Sequence, residues 1–186
     1  MEKVMIGKAT VGATPAIIAG ALVNGKPNYL AMGNYGGISP RPVPIIYLSV
    51  NKAHYTNAGI KENGYFSVNW PSKELVQKTD YVGLVSGKDT DKSNVFTSFY
   101  GTIKKAPMIA ECPINILCKL VQTIDMPTQE IFIGEVIETY VAKDGLTNDK
   151  PDLKKLNPVL LGGGSYWDLG GKVGTSFSDG KALIKK

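Results

Sequence analysis

The sequence predicts a mainly β fold, a β-barrel with a few short helices. Three observations carry this expectation. Apolar, β-rich runs such as VPIIYLSV and EIFIGEVIETYVA recur along the chain. The 21 glycines and 11 prolines among 186 residues interrupt the chain at short intervals. Helical spacing is confined to two short stretches. A 43% hydrophobic content and a mean hydropathy near zero fit one globular domain over residues 1–186.

The elements follow in chain order. Residues 14–23 (TPAIIAGALV) read as a strand, Asn24-Gly25 as a hairpin turn, and residues 27–33 as the returning strand. Gly33 to Val43 form a connecting loop, and residues 43–50 a central strand. Thr56 or Asn57 caps a short helix that ends at Asn63-Gly64. Tyr65–Trp70 is another strand, closed by Pro71. Ser72 then caps a second helix, with Leu75, Val76 and Thr79 at helical spacing. Residues 114–124 and 130–142 form an antiparallel pair around Met126-Pro127-Thr128. The tail is glycine-rich and then polar. Many short strands with two short helices make a closed or partly closed antiparallel barrel.

Charge and composition exclude several functions. The net charge is +5, with +6 in residues 1–110 and −1 in the remainder, which points to an anionic partner for the first half. The basic residues are scattered and Arg41 is the only arginine, so no nucleic-acid surface is expected. Cys112 and Cys118 match no CxxC or zinc pattern, and one histidine cannot complete such a site. Two unpaired thiols suit a reducing cytoplasm. Ala9 to Gly25 superficially resembles a signal peptide, but Gly12, Thr14, Pro15 and Gly20 interrupt it, and it reads as structure. No membrane span is expected.

Familiar catalytic patterns are missing: there is no GxSxG elbow, no HExxH and no Walker A, and any triad would have to use His54. Three loops remain. In Ser49–Thr56 an apolar strand ends in small and amide side chains, adds Lys52 and His54, and enters a helix whose first-turn N–H groups favour an anion. The same residues also make an ordinary capped turn. Gly33–Val43 lets backbone approach a flat ligand, with Asn34 as donor and acceptor, and equally suits a loop needing positive φ. Asp80–Lys88, followed by Asp91-Lys92, is a polar loop after a helix.

The stretches ISPRPVPIIYLSVNKAHYTNAGIKENGYFSVNW and TDYVGLVSGKDTDKSNVF hold these loops in a characteristic order: loop, proline-bounded strand, T-x-x-x-I-K-E helix, then G-x-F-x-V-N. In this they resemble the flavin reductase-like family with the FMN-binding split barrel, and its flavoredoxin branch most closely, from about Thr14 to Lys181.

The resemblance implies FMN as cofactor and assigns residues to it. Ala31, Met32, Gly33, Asn34 and Tyr35 would line the isoalloxazine. Ser49, Val50, Asn51, Lys52, His54, Tyr55 and Thr56 would hold the ribityl chain and phosphate. Val82, Gly83 and Leu84 would close over the flavin, with Ser86 and Lys88 or Lys92 nearby. His54 beside a phosphate would act as a donor with a raised pKa. Tyr166 and Trp167 would cover the ring or, in preference, pack in a dimer interface. The resemblance also implies a homodimer and an oxidoreductase passing electrons through FMN, from NAD(P)H or a redox-protein donor to a flavin, iron or protein acceptor. No protein catalytic residue is required, because the cofactor carries the chemistry. A non-enzymatic flavin-binding or other flat-anion-binding module on the same barrel is the alternative.

Overall fold

A computed structural model describes residues 1–9 and 11–184. Its strands are β1 (Ala13–Pro15), β2 (Ile17–Val23), β3 (Lys26–Met32), β4 (Tyr35–Ser39), β5 (Ile45–Asn51), β6 (Tyr65–Trp70), β7 (Ser98–Phe99), β8 (Met108–Ile109), β9 (Ile114–Asp125), β10 (Gln129–Val141), β11 (Leu146–Thr147), β12 (Lys150–Pro151), β13 (Leu160–Gly162) and β14 (Ser165–Trp167). The α-helices are α1 (Thr56–Asn63), α2 (Val76–Leu84) and α3 (Leu153–Leu156).

Seven strands form one antiparallel sheet in the order β3-β2-β6-β9-β10-β5-β4. The hydrogen-bonded order is open, and β3 and β4 are its edges. These two edges are consecutive in the chain, joined only by Gly33 and Asn34. Such a link spans at most about 10 Å, so the sheet curls until its edges nearly meet at that corner. The partly closed form of the expected barrel is the one adopted. The corner is pinned by Tyr35 N–H donating to Gly33 O at 3.0 Å and Ser49 N–H to Asn34 O at 2.9 Å.

Side chains fill the inside of this curl. Ile17, Ala19 and Ala21 of β2 meet Leu48, Val50, Phe66, Val68 and Phe132 there, and Ile60 of α1 packs against the same cluster. The opposite face of β2 is buried too: Ile18 packs with Tyr29, Val82, Phe96, Ile109 and Cys112. A strand covered on both sides explains why IIAGALV shows no polar alternation. Close approach demands glycine at two points. A Cβ on Gly134 would overlap the Phe66 ring, and one on Gly59 would overlap the Leu22 carbonyl oxygen, where α1 lies directly on β2.

Several boundaries differ from expectation. The 14–23 run breaks at Ala16, whose N–H leaves the sheet for Val159 O, so β1 pairs with β13 in a separate three-stranded sheet with β14. Residues 35–39, expected as loop, form β4; Gly36 lets that strand lie against the Tyr47 ring. Tyr55, rather than Thr56 or Asn57, precedes the first helical residue of α1, and no side chain caps it. Gly64 closes α1 in the left-handed conformation, as expected. Ser72 makes no cap bond, and a 3-10 turn over Lys73–Leu75 precedes α2. The tail adds α3 and the β13–β14 hairpin, and among the described residues the α-helices number three. Cys112 and Cys118 are buried free thiols, and burial raises both pKa values. No helix among the described residues is long and apolar enough to cross a membrane.

The Gly59 contact is with rigid backbone. Gly59→Ala is therefore expected to lower stability by about 1–3 kcal/mol, read as a fall in the urea midpoint. Gly37→Ala, with open space around its Cβ position, should leave the midpoint nearly unchanged.

Candidate functional site

The interior of the curl is packed and cavities lie outside it, the largest, of about 900 Å³, between Thr147–Asn157 and the Leu169–Gly174 tail, and two beside the predicted loops along β3. Two clefts flank this strand. The first, of about 340 Å³, lies at its N-terminal end and is walled by Asn24, Lys26, Asn28, Tyr55 and the 87–92 loop, including Lys92. The second, of about 280 Å³, lies at its C-terminal end between Ala31, Met32, Gly83, Leu84, Leu161 and Tyr166. Asn28 and Ala31 are three residues apart, about 10 Å along a strand.

The first cleft is polar and built from buried contacts. Asn28 is 5% exposed and donates through Nδ2 to Thr56 Oγ1 at 2.8 Å, tying β3 to the first residue of α1. Asn24 Nδ2 donates to the Tyr55 hydroxyl at 2.8 Å. Gly87 lies so close to Asn28 and Tyr55 that a Cβ would overlap the Asn28 amide oxygen. The 86–92 loop is shaped by Ser86, whose carbonyl accepts from Asp89 and Thr90 N–H and whose hydroxyl accepts from Lys88 N–H. Lys92 is 3% exposed and donates to Tyr29 O at 3.0 Å and Val82 O at 2.8 Å. It thereby satisfies a carbonyl in the last turn of α2 and straps that helix to β3. Burial lowers its pKa to about 8. His54 is also lowered, first by burial and then by the Lys92 charge. That is the opposite of the direction expected beside a phosphate, because burial disfavours the charged imidazole and the Lys92 cation adds to the effect.

The second cleft is apolar. Its rim carries Tyr166 of β14, whose hydroxyl donates to Asp80 Oδ1 of α2 at 3.2 Å. Burial, then Asp80, pushes the Tyr166 pKa up to about 12. Gly83 lets α2 approach β3 here, its Cβ position standing 3.3 Å from the Ala31 Cβ.

The sequence-predicted residues therefore fall into three groups. Ala31, Met32, Gly83 and Leu84 meet in the apolar cleft, and Val82 is buried beside it. Tyr55 and Lys92 meet in the polar cleft, Thr56 reaches it through Asn28, and Ser86 shapes its loop. The others lie at the barrel corner or point elsewhere. Gly33 and Asn34 make the β3–β4 link beside Ser49. Tyr35, half-buried, packs edge-on against Trp70 at the margin of the core, 5.7 Å between ring centres. Val50 is a core side chain at 1% exposure. Asn51 Oδ1 accepts from Ala53 N–H in a local turn, and Lys52 pairs with Asp125 across the β9–β10 hairpin end. Sequence reasoning missed Asn24 and Asn28, held Asp80 and Gly87 only as part of the Asp80–Lys88 stretch, and placed Tyr166 over the ring or, in preference, in a dimer interface. Asn28 offered a signal, a polar side chain within the run PNYLAM.

At the start of α1, Asn57 donates to Asn51 O and to Glu130 Oε2, while its own Oδ1 is buried without a partner among the described residues. The first turn of α1 has no side-chain cap, although Asn57 N–H donates to His54 O at 3.3 Å, and the orphan Asn57 acceptor fits a hydroxyl donor such as that of a polyol. The neighbouring apolar cleft fits a flat ring.

A curled antiparallel sheet with a polar and an apolar cleft along one edge strand defines a small, mainly β protein of the split-barrel kind. The match to a family model for the flavin reductase like domain spans residues 10–169; the chain belongs to that family. Among solved structures it is similar to flavoredoxin from Methanosarcina acetivorans, at 44% identity and a TM-score of 0.94, covering 99% of this chain and 100% of that one. It is also similar to flavoredoxin of Desulfovibrio vulgaris (Miyazaki F), at 33% identity and a TM-score of 0.89, covering 96% of this chain and all of that one. A curated relative, a ferric-chelate reductase (NAD(P)H) from Archaeoglobus fulgidus, is 27% identical over 113 residues, 58% of this chain and 63% of the relative.

Thr56→Val removes the acceptor of the Asn28 amide and leaves a buried donor unpaired. The variant is expected to lose about 1–3 kcal/mol of stability in chemical denaturation. Thr56→Ser, which keeps the hydroxyl, should recover most of it.

Proposed function

We propose that this protein binds FMN and is an oxidoreductase of the flavin reductase or flavoredoxin type, passing electrons from NAD(P)H or a protein donor to a flavin, iron or protein acceptor. The observation that carries this reading is the pair of clefts along β3, polar and cationic at one end and apolar at the other. When bound, FMN supplies hydride or single-electron chemistry at its ring. The protein binds and orients. The phosphate would be held by the first turn of α1, by the Ser49–Thr56 turn and by the polar cleft. Ala31, Met32, Gly83 and Leu84 would flank the ring and exclude water from it. Asn34 and Ser49, at the barrel corner, would supply hydrogen bonds.

The flavoredoxin relatives support the cofactor, and the ferric-chelate reductase relative supports use of a nicotinamide donor. A homodimer is part of the same proposal. Val121, Ile124 and Met126 at the far end of the β9–β10 hairpin, with Ile38 and Val43, leave apolar side chains exposed. Two buried thiols suit a reducing compartment, so the cytoplasm is the proposed location.

Titrating the colourless protein with FMN should shift and sharpen the flavin absorbance bands. Anaerobic NADH or NADPH should then bleach them if the protein is a reductase. Bleaching by neither donor would leave the electron-carrier role, and failure to perturb the FMN bands would remove the flavin assignment. Size-exclusion chromatography at micromolar concentration should give a dimer; a monomer would contradict that part.

A further inference from the structure

The Lys92 ammonium is buried and bound only to neutral acceptors, the carbonyls of Tyr29 and Val82. Among the described residues no carboxylate makes an ion pair with it. Asp91, its chain neighbour, is held by Lys26 at 3.2 Å and by Ser93 N–H. Asp89 and Lys88 are exposed on the loop. His54 is close enough to feel the Lys92 charge, and contributes no negative charge. The neighbouring hydroxyls are engaged, Tyr55 with Asn24 and Tyr29 with Ser98 at 2.6 Å. Lys92 is thus one of the residues lining the polar cleft, where Asp89 and Asp91 also lie, and among the described residues neither carboxylate forms an ion pair with it.

An ammonium has three N–H donors, and the two carbonyls use two of them. A neutral amine keeps two N–H donors and presents a lone pair at the third position. Losing the proton thus preserves the strap between α2 and β3 but turns the third position from donor to acceptor. That change is nearly neutral for the fold and strongly unfavourable for a bound anion.

We propose that the cleft takes up its phosphate-bearing ligand together with one proton, and that Lys92 is the group that accepts it. This rests on the flavin reading above and goes beyond it by naming what regulates the site. With the anion absent, burial holds Lys92 at about 8. A bound phosphate favours the charged form and raises that value. Above pH 8 the free protein is then increasingly neutral at Lys92, the complex stays protonated, and affinity falls as pH rises. His54, lowered from its ordinary value, is already neutral across this range and adds nothing to the slope.

The test compares FMN with riboflavin, which has the same ring and no phosphate, on the full chain between pH 7.5 and 9.5. The FMN dissociation constant should rise on the order of tenfold from pH 8 to 9.5, and riboflavin should show no such rise. Calorimetry at pH 9 in two buffers of different ionisation enthalpy should show close to one proton taken up per FMN. Lys92→Arg, whose guanidinium stays charged, should bind FMN with a flat pH profile. Should the larger side chain prevent folding, the wild-type profile and proton count decide alone. FMN binding that is independent of pH, without proton uptake, would overturn the inference and leave the flavin reading standing. An equal slope for riboflavin would also overturn it, by placing the titration at the ring. Absence of FMN binding at every pH would remove the flavin reading and this inference with it.

Discussion

Two residues, Gly33 and Asn34, constrain the rest of the molecule. They connect β3 and β4, which stand at opposite ends of a seven-stranded hydrogen-bonded order. Without that link the sheet would be an open twisted surface; with it, the edges converge at one corner and the sheet becomes a partly closed cylinder whose hydrogen-bonded order stays open. Gly33 has no room for a side chain, since a Cβ would stand 2.7 Å from Thr14 Oγ1 and 3.1 Å from Leu161 Cδ2. The small β1–β13–β14 sheet therefore presses on the outside of the same corner. Phe66, Phe132, Leu48 and their neighbours fill the cylinder, and packing of that density leaves no lumen for a cofactor. Any ligand must use the outer surface.

What creates room on that surface is the segment from Ser72 to Cys112, which returns over β2, β3 and β6. Polar pegs add to the apolar cluster of Ile18, Tyr29, Val82, Phe96, Ile109 and Cys112 in holding it in place. Asn69 donates to Ile18 O and accepts from Ile109 N–H and Asn115 Nδ2, while Ser67 donates to Pro107 O. These groups are fully or nearly fully buried, and each finds a partner, so the segment is fixed in one register. Lys92 supplies the last peg. It holds α2 and its following loop at a set distance from β3, and the clefts on either side of the strap are the spaces left over.

The fold was largely legible because its signals were local. Asn24-Gly25 adopts the two left-handed residues that a tight hairpin needs, and Gly64 ends α1 in the same region. The β9–β10 pair follows from two long apolar runs. Less legible were features that depend on distant partners. β4 looks like a glycine loop, because its extended form is fixed only by pairing with β5. β1 looks continuous with β2, because only the carbonyl of Val159 draws Ala16 away. The site behaved in the same way. Order and spacing brought residues from each of the three loops to the clefts along β3. Which face each residue presents depended on the core, and so Tyr35 and Val50 turned inward. Asn28 escaped notice because its role is a hydrogen bond to a residue 28 positions away.

The distribution of titratable groups then bears on what kind of chemistry the protein can support. The apolar cleft offers few polar atoms. Thr79 spends its hydroxyl on Leu75 O, and Tyr166 is kept protonated to about pH 12 by burial and by Asp80. No histidine, cysteine or lysine lines that space. A pair of groups poised to exchange protons near neutrality, as acid–base catalysis requires, is not found among its lining residues. Charge of both signs gathers at the other end of β3, in Lys26, Lys88 and Lys92 and in Asp89 and Asp91. Charged and apolar surface are thus divided between the two ends of the strand. Under the proposed FMN binding, that division would leave binding and orientation to the protein and the reaction to the cofactor.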